Sequence, residues 1–335
     1  MAEFVPGVEL GRALYQEVVA SRLHGLRHSA ARLGTGSDVL GYDTARSTDH
    51  DWGARLDVLV EAGDPEPLAG VPARFRGWPT EVVVVGIGTF LTWHLGFDPR
   101  AGISTRDWLV TPQQSLASVT AGAVYHDGLG ELEPVRQALA WYPRDLWLWQ
   151  LAGQWRRIAQ EEPFCGRAAE VGDDLGRRVL VARLARDVMR LCFLLERRYA
   201  PYSKWLGTAF ARLDAAATVG PLLTAALAAD RWPAAEQALV GAYQEVATRH
   251  NRLGLTEPLD PSPRRFHDRP FLVLDADRFV TACLAAMADR ALASFQPIGA
   301  IDQFVDSTDV LGYRRHLCRQ IGRVYDLAST PQQPG

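Results

Sequence analysis

Gly36-Ser37-Asp38-Val39-Leu40-Gly41-Tyr42-Asp43-Thr44-Ala45-Arg46-Ser47-Thr48-Asp49-His50-Asp51-Trp52-Gly53 is the stretch on which the reading of this chain turns. It opens on a Gly-Ser turn and, after eleven intervening residues, reaches two aspartates separated by one residue. On an extended chain side chains alternate between faces, so Asp49 and Asp51 are expected to project together and to hold a divalent ion. A magnesium site of this kind combines a few carboxylates with phosphate oxygens of the substrate. A second ion about 3.5–4 Å away clamps the entering and leaving oxygens of a phosphoryl transfer. The Gly-Ser turn supplies the complementary half: glycine lets backbone approach a phosphate, and backbone N–H groups plus the serine hydroxyl donate to it.

Working outward, Leu10, Leu14 and Val18 stand at helical spacing and predict a helix within residues 8–28, closed by Gly34-Thr35-Gly36-Ser37. Leu56 to Val60 and Glu81 to Val85 are β-branched runs bounded by Gly and Pro, which predicts two strands. Pro65, Pro67, Gly70 and Pro72 mark the loop between them. Beyond about residue 126 strand signals nearly vanish. Apolar residues at helical steps predict helices over 145–161, 174–198 (capped by Asp173 or Asp174), 203–213, 221–230, 233–252 and 277–290. The expected class is α+β: a small mixed-sheet domain over 1–125, then an all-α domain over 126–335, joined near Tyr125-His126-Asp127-Gly128-Leu129-Gly130. Pro258 to Pro270 reads as one long loop.

Composition narrows the chemistry. Across 335 residues, 36 basic against 39 acidic side chains give a net charge of -3, which offers no electrostatic case for a general nucleic-acid or membrane-surface binder. Only one basic residue, Lys204, is a lysine, and it stands in Pro201-Tyr202-Ser203-Lys204-Trp205. That context excludes a Walker A loop, a protein-kinase lysine and the Ser-x-x-Lys of class A β-lactamases. A lysine where arginine is otherwise universal is a candidate compact charge for a phosphate. The four cysteines form no Cys-x-x-Cys pair, the N-terminus lacks signal-peptide order, and the longest apolar run is too short to span a bilayer. A soluble cytoplasmic protein is expected. The tryptophans at 141, 147, 149 and 155 are expected mainly in a core.

The stretch Leu33 to Ser37, followed by Thr48 to Asp51 and a strand opening Thr80-Glu81-Val82, resembles the signature of nucleotidyltransferases related to DNA polymerase beta. More closely, Gly36 to Tyr42, Asp49 to Gly53, Arg198 to Trp205 and Asp302 to Ser307 are similar to the nucleotidyltransferase-like family called domain of unknown function 4037 (DUF4037). That resemblance implies a small mixed sheet flanked by helices and joined to a helical domain. It also implies that Gly36 and Ser37 hold the phosphates of a nucleoside triphosphate and that Asp49 and Asp51 bind two magnesium ions. Glu81 is the candidate third carboxylate and helps deprotonate the attacking hydroxyl, with Asp57 and Asp107 as rivals. Two departures stand out: His50 takes a usually apolar position, and Trp52-Gly53 interrupts the usual apolar strand.

The expected function is magnesium-dependent transfer of a nucleoside monophosphate from a triphosphate to a hydroxyl of a small molecule or protein. Lys204 and Tyr202 are expected as further nucleotide contacts, in a cleft between the domains, with Glu161, Glu162 or Glu196 as possible general bases. The alternatives are a catalytically silent nucleotide- or protein-binding module and an RNA-modifying toxin–antitoxin component.

Overall fold

The computed structural model describes residues 3–61 and 68–327. Helix α1 (Gly7–Leu14) is followed by strand β1 (Ser29–Arg32), β2 (Ala54–Val60), β3 (Arg74–Phe75), β4 (Trp78–Gly86), α2 (Ile87–Leu95), α3 (Thr105–Val110), α4 (Gln113–Thr120), β5 (Ala123–Asp127) and α5 (Leu132–Ala138). The five strands form one mixed sheet in the order β3-β4-β2-β1-β5, with β2 parallel to β4 and the other pairs antiparallel. The predicted strands at 56–60 and 81–85 are therefore the central parallel pair. Pro65 and Pro67 of the predicted loop lie outside the described residues.

The sheet rests on a core of Leu10, Leu14, Val19, Leu56 and Val58, all essentially water-free. Trp52 joins that core, stacked on Phe4 with ring centroids 5.6 Å apart and edge-on to Trp78 at 4.8 Å. Gly53 beside it has no room for a side chain, because a Cβ would fall 2.4 Å from the Pro79 carbonyl oxygen. The Trp-Gly departure in the sequence is thus the entry to β2, an aromatic anchor followed by a close backbone approach. The predicted first helix changes pitch: after Leu14 it continues as a π turn over Tyr15–Val19 and a 3₁₀ turn over Ala20–Leu23.

The helical part comprises α6 (Arg144–Glu170), α7 (Asp174–Leu195), α8 (Ser203–Phe210), α9 (Ala216–Ala228), α10 (Trp232–Arg252), α11 (Asp277–Ala285), α12 (Arg290–Ser294) and α13 (Ile301–Phe304). Asp173 caps α7, its Oδ1 accepting from the Gly176 N–H at 2.8 Å. Trp147, Trp149 and Trp155 are buried on α6. Trp155 stacks on Phe279 at 4.4 Å and donates to His250, which explains why this face of α6 is aromatic. Two expectations change here. The helix predicted over 277–290 stops at Ala285, and Asp289 caps the separate α12 by accepting from Leu292 N–H. The loop predicted over 258–270 contains β6 (Arg264–Arg265), which pairs with β7 (Leu272–Val273).

Two compact units divide the chain. The first runs to Trp141 and also takes in Thr308–Gln320; the second covers Tyr142–Ser307 and resumes at Ile321. The joint expected at 125–130 is instead occupied by β5, an edge strand of the sheet, so the boundary falls after α5. The returning segment carries α14 (Thr308–Tyr313) and α15 (Arg315–Ile321). Within the first unit Arg315 donates to the His94 carbonyl at 2.9 Å, and Arg319 pairs with Asp107 at 2.8 Å.

Candidate functional site

Strand pairing delivers the quoted stretch and Glu81 to one end of the sheet. Strand β1 is antiparallel to β2, with Ala31 opposite Asp57, so the chain leaving β1 through Leu33 and Gly34 heads toward the start of β2. Strands β2 and β4 are parallel with Arg55 opposite Glu81, so the loop ending at Asp51 and the first half of β4 meet at that same end.

The turn is held from beneath. Arg32, the last residue of β1, and Asp38 are 5% and 4% exposed, and the guanidinium bonds both carboxylate oxygens, at 2.6 and 2.9 Å. Its remaining donors reach the carbonyls of Leu33 and Thr35. Gly36 has φ +147°, and a Cβ there would lie 2.1 Å from Asp38 Oδ1 and 2.5 Å from Arg32 Nη2. The glycine is therefore required by the ion pair under the turn, whatever else it admits. Gly34 is similarly pressed, with the His94 ring 2.6 Å from where its Cβ would be. Burial, helped by Arg315 and Arg32, pulls His94 down to about 4, so a neutral imidazole faces the turn near neutral pH. Among the described residues nothing accepts a hydrogen bond from the backbone N–H of Gly36 or Ser37. These are the donors an anion would need.

The two aspartates are not arranged as the alternation argument expects. Asp49 ends a 3₁₀ turn over Ala45–Asp49, capped by Thr44 and Ser47, His50 is extended, and Asp51 is left-handed at φ +48°. Period two applies to strands, and β2 begins only at Ala54. Asp49 contacts His50 Nδ1 at 2.7 Å, and the backbone carbonyl of Asp51 accepts from Arg55 at 3.1 Å. That same Arg55 holds Glu81 at 2.6 Å. Arg55 thus ties the loop to β4 and occupies the proposed third carboxylate. Among the described residues no three of His, Cys, Asp and Glu stand together as a metal cluster. In this arrangement Asp49 is engaged by His50 and Glu81 by Arg55, and the three carboxylates do not stand as one cluster.

The rivals separate. Asp57 accepts from Leu33 N–H at 3.2 Å, and burial pushes it up to about 6 despite Arg32 and Arg55. It lies under the chain that leads into the turn. Asp107 caps α3 through Ser104 and pairs with Arg319, which is structural work. Among the proposed bases, Glu161 pairs with Arg183, Glu196 accepts from the N–H groups of Asp214 and Ala215, and Glu162 is buried against the N–H groups of Leu274 and Ala276. Burial pushes Glu162 up to about 7. Lys204 and Tyr202 stand in the second unit, where the Lys204 ammonium lies 5.1 Å from the Trp205 ring centroid in a cation–π contact.

Residues 108–206 carry a match to the family described as Domain of unknown function (DUF4037). The DUF4037 match includes the stretch Arg198 to Trp205, while the Gly36–Gly53 and Asp302–Ser307 stretches lie outside it. Among solved structures the chain is similar to a nucleotidyltransferase-like protein from Exiguobacterium sibiricum, at 14% identity and a TM-score of 0.34, over 78% of this chain and 83% of that one. No curated protein matches the chain.

Arg32, Asp38, Arg55 and His94 were not singled out in the sequence, although all four shape the site. A concavity of about 450 Å³ lies at the other end of β2 and β4, where Glu61, Gly86, Thr89, Trp93, Asp98 and Arg100 line it. Arg100 is fully engaged there by Asp98 and Glu131.

Proposed function

We propose that the chain is a nucleotidyltransferase that moves a nucleoside monophosphate from a triphosphate to a hydroxyl of a small molecule or protein. The acceptor oxygen forms a bond to the α-phosphorus, the bond to pyrophosphate breaks, and the hydroxyl proton passes to a carboxylate, with Glu81 as the candidate. The observation that supports this reading is the delivery of an unfilled Gly36–Ser37 turn, Asp49, Asp51 and Glu81 to one end of a mixed sheet. The turn's free N–H groups and the Ser37 hydroxyl are the proposed phosphate contacts.

Magnesium dependence belongs to the proposal, and it carries a condition: Arg55 must release Glu81, and Asp49 must turn from His50, before the carboxylates can act together. A silent nucleotide-binding module is the second reading, favoured by the Arg55–Glu81 pair as it stands. A cytoplasmic location is proposed with either reading, because the four cysteines are buried free thiols and triphosphates are cytoplasmic substrates. Among the described residues no helix is long and apolar enough to cross a membrane.

The test is pyrophosphate release from each of the four triphosphates, with and without magnesium, over pooled hydroxyl acceptors and cellular RNA. The expected result is magnesium-dependent release that an Asp49→Ala, Asp51→Ala double substitution lowers by at least ~100-fold. Saturable nucleotide binding without release would replace the first reading by the second. No nucleotide binding would refute both.

A further inference from the structure

The second unit gathers three arginines that the candidate site does not use. Arg186 and Arg190 stand one turn apart on α7, and Arg157 projects from α6. Arg157 is satisfied by Asp187, a carboxylate only 1% exposed that also accepts from Gln154. Arg190 is less well served: among the described residues its one hydrogen bond runs from Nη1 to the backbone carbonyl of Asp302, it makes no ion pair, and the Asp302 and Asp187 carboxylates act on it only through space. The Nε atoms of both Arg186 and Arg190 are buried without an acceptor among the described residues. A largely buried guanidinium whose hydrogen bonds reach only a neutral oxygen is expensive, and a direct anion partner normally offsets that cost.

One anion is nearby, loosely held. Asp306 accepts from Arg186 Nη1 with both oxygens at 3.0 Å, while its own side chain is 74% exposed. Arg186, Arg190 and Arg157 all lower its pKa, so the three positive charges act on the same spot. Exposed pairs of this kind contribute little, so the carboxylate can leave at small cost. Asp187, Asp302 and Asp306 balance the three arginines only while Asp306 stays in place. Its departure frees the Arg186 guanidinium, with Arg190 one helical turn along α7, and leaves an excess positive charge.

We propose that Arg186 and Arg190, supported by Arg157, bind a phosphate group in the place that the Asp306 carboxylate now covers. A phosphate suits the site better than a second carboxylate because its three oxygens accept from two guanidinium forks at once and its charge exceeds the one displaced. Inorganic phosphate and the phosphate of a small monoester share this chemistry. The proposal is independent of the nucleotidyl-transfer reading, since every group it uses lies in the second unit.

The experiment uses the full chain and amide or arginine-side-chain NMR, with inorganic phosphate, ribose 5-phosphate and AMP titrated at constant ionic strength set by chloride. Saturable binding is expected, tightened about tenfold by Asp306→Asn, which removes the competing charge while keeping the side-chain shape. Arg190→Gln is expected to abolish it. Arg186→Lys, which keeps the charge and removes the fork, is expected to weaken it about tenfold, and it serves as the reporter if Arg190→Gln fails to fold. A monoester binding more tightly than inorganic phosphate identifies a phosphorylated small molecule as the ligand; equal affinities identify the free oxyanion. The proposal is overturned if Asp306→Asn shows no saturable binding, if chloride alone reproduces the shifts, or if Arg186→Lys binds as the parent does.

Discussion

Asp38→Ala is the most informative single change, because it removes the carboxylate hydrogen-bonded to Arg32 under the Gly36–Ser37 turn. The guanidinium is 5% exposed and makes four contacts, two to Asp38 and two to the carbonyls of Leu33 and Thr35. After the substitution the guanidinium keeps hydrogen bonds only to the two neutral carbonyls, with the Asp57 carboxyl acting on it through space. Breaking a buried pair by deleting one partner costs about 3–5 kcal/mol. The turn reports that loss locally, through the amides of Gly41 and Tyr42, which donate to the carbonyls of Asp38 and Ser37 at 3.1 and 2.8 Å. Native-state hydrogen exchange at these two amides should accelerate by at least ~100-fold, the equivalent of about 3 kcal/mol. The double change Arg32→Met, Asp38→Leu should recover most of the loss, because an apolar pair needs no compensation. A loss below ~1 kcal/mol in Asp38→Ala, or a double variant as weak as the single one, would refute the claim that this pair organises the turn.

Protonation gives a second set of outcomes. Asp57, at about 6, and Glu162, at about 7, bind protons more readily folded than unfolded, so each lowers stability as pH rises from about 4 through its folded value. Asp57→Asn and Glu162→Gln should each flatten part of that decline in urea midpoints measured between pH 4 and 8. His94 and His250, at about 4, act in the opposite sense and raise stability between about 4 and 6.5; His250→Phe should shallow the rise. Gly53→Ala should lower the melting temperature strongly, because its Cβ meets the Pro79 backbone. Gly207→Ala, in open space on α8, should raise stability by about 0.5–1 kcal/mol. Arg55→Met should free Glu81 and strengthen manganese binding as read by electron paramagnetic resonance; unchanged binding would remove Arg55 as the obstacle.

Elements governed by local pattern were legible in the chain itself. The β-branched runs around Val58 and Val83 announced two strands, though not their parallel pairing, and the spacing of Leu184, Val188, Leu191 and Leu195 announced α7. The tryptophans of α6 were read as core for the same reason. Side-chain geometry at the site was less accessible. Asp49 and Asp51 look like alternating strand residues only until the Thr44–Ser47 cap turns the preceding segment into a 3₁₀ helix. The Arg55–Glu81 pair depends on a register between strands 26 residues apart, which local pattern does not encode. Arg32 did leave a trace, a charge at the end of Ser29-Ala30-Ala31 in a buried strand with Asp38 six residues on. The return of Thr308–Gln320 to the first unit left none, because its contacts with His94 and Asp107 span more than two hundred residues.

That return sets an order of synthesis. A ribosome that has made residue 141 has translated every strand of the sheet, yet the segment that grips α2 and α3 has not been made. All of Tyr142–Ser307 must be translated first. Until Arg315 and Arg319 arrive, the His94 carbonyl and the Asp107 side chain lack the arginine partners they have in the finished unit. A fragment cut at residue 141 is therefore a poor stand-in for the sheet unit; a faithful one would join residues 308–320 back to it through a linker.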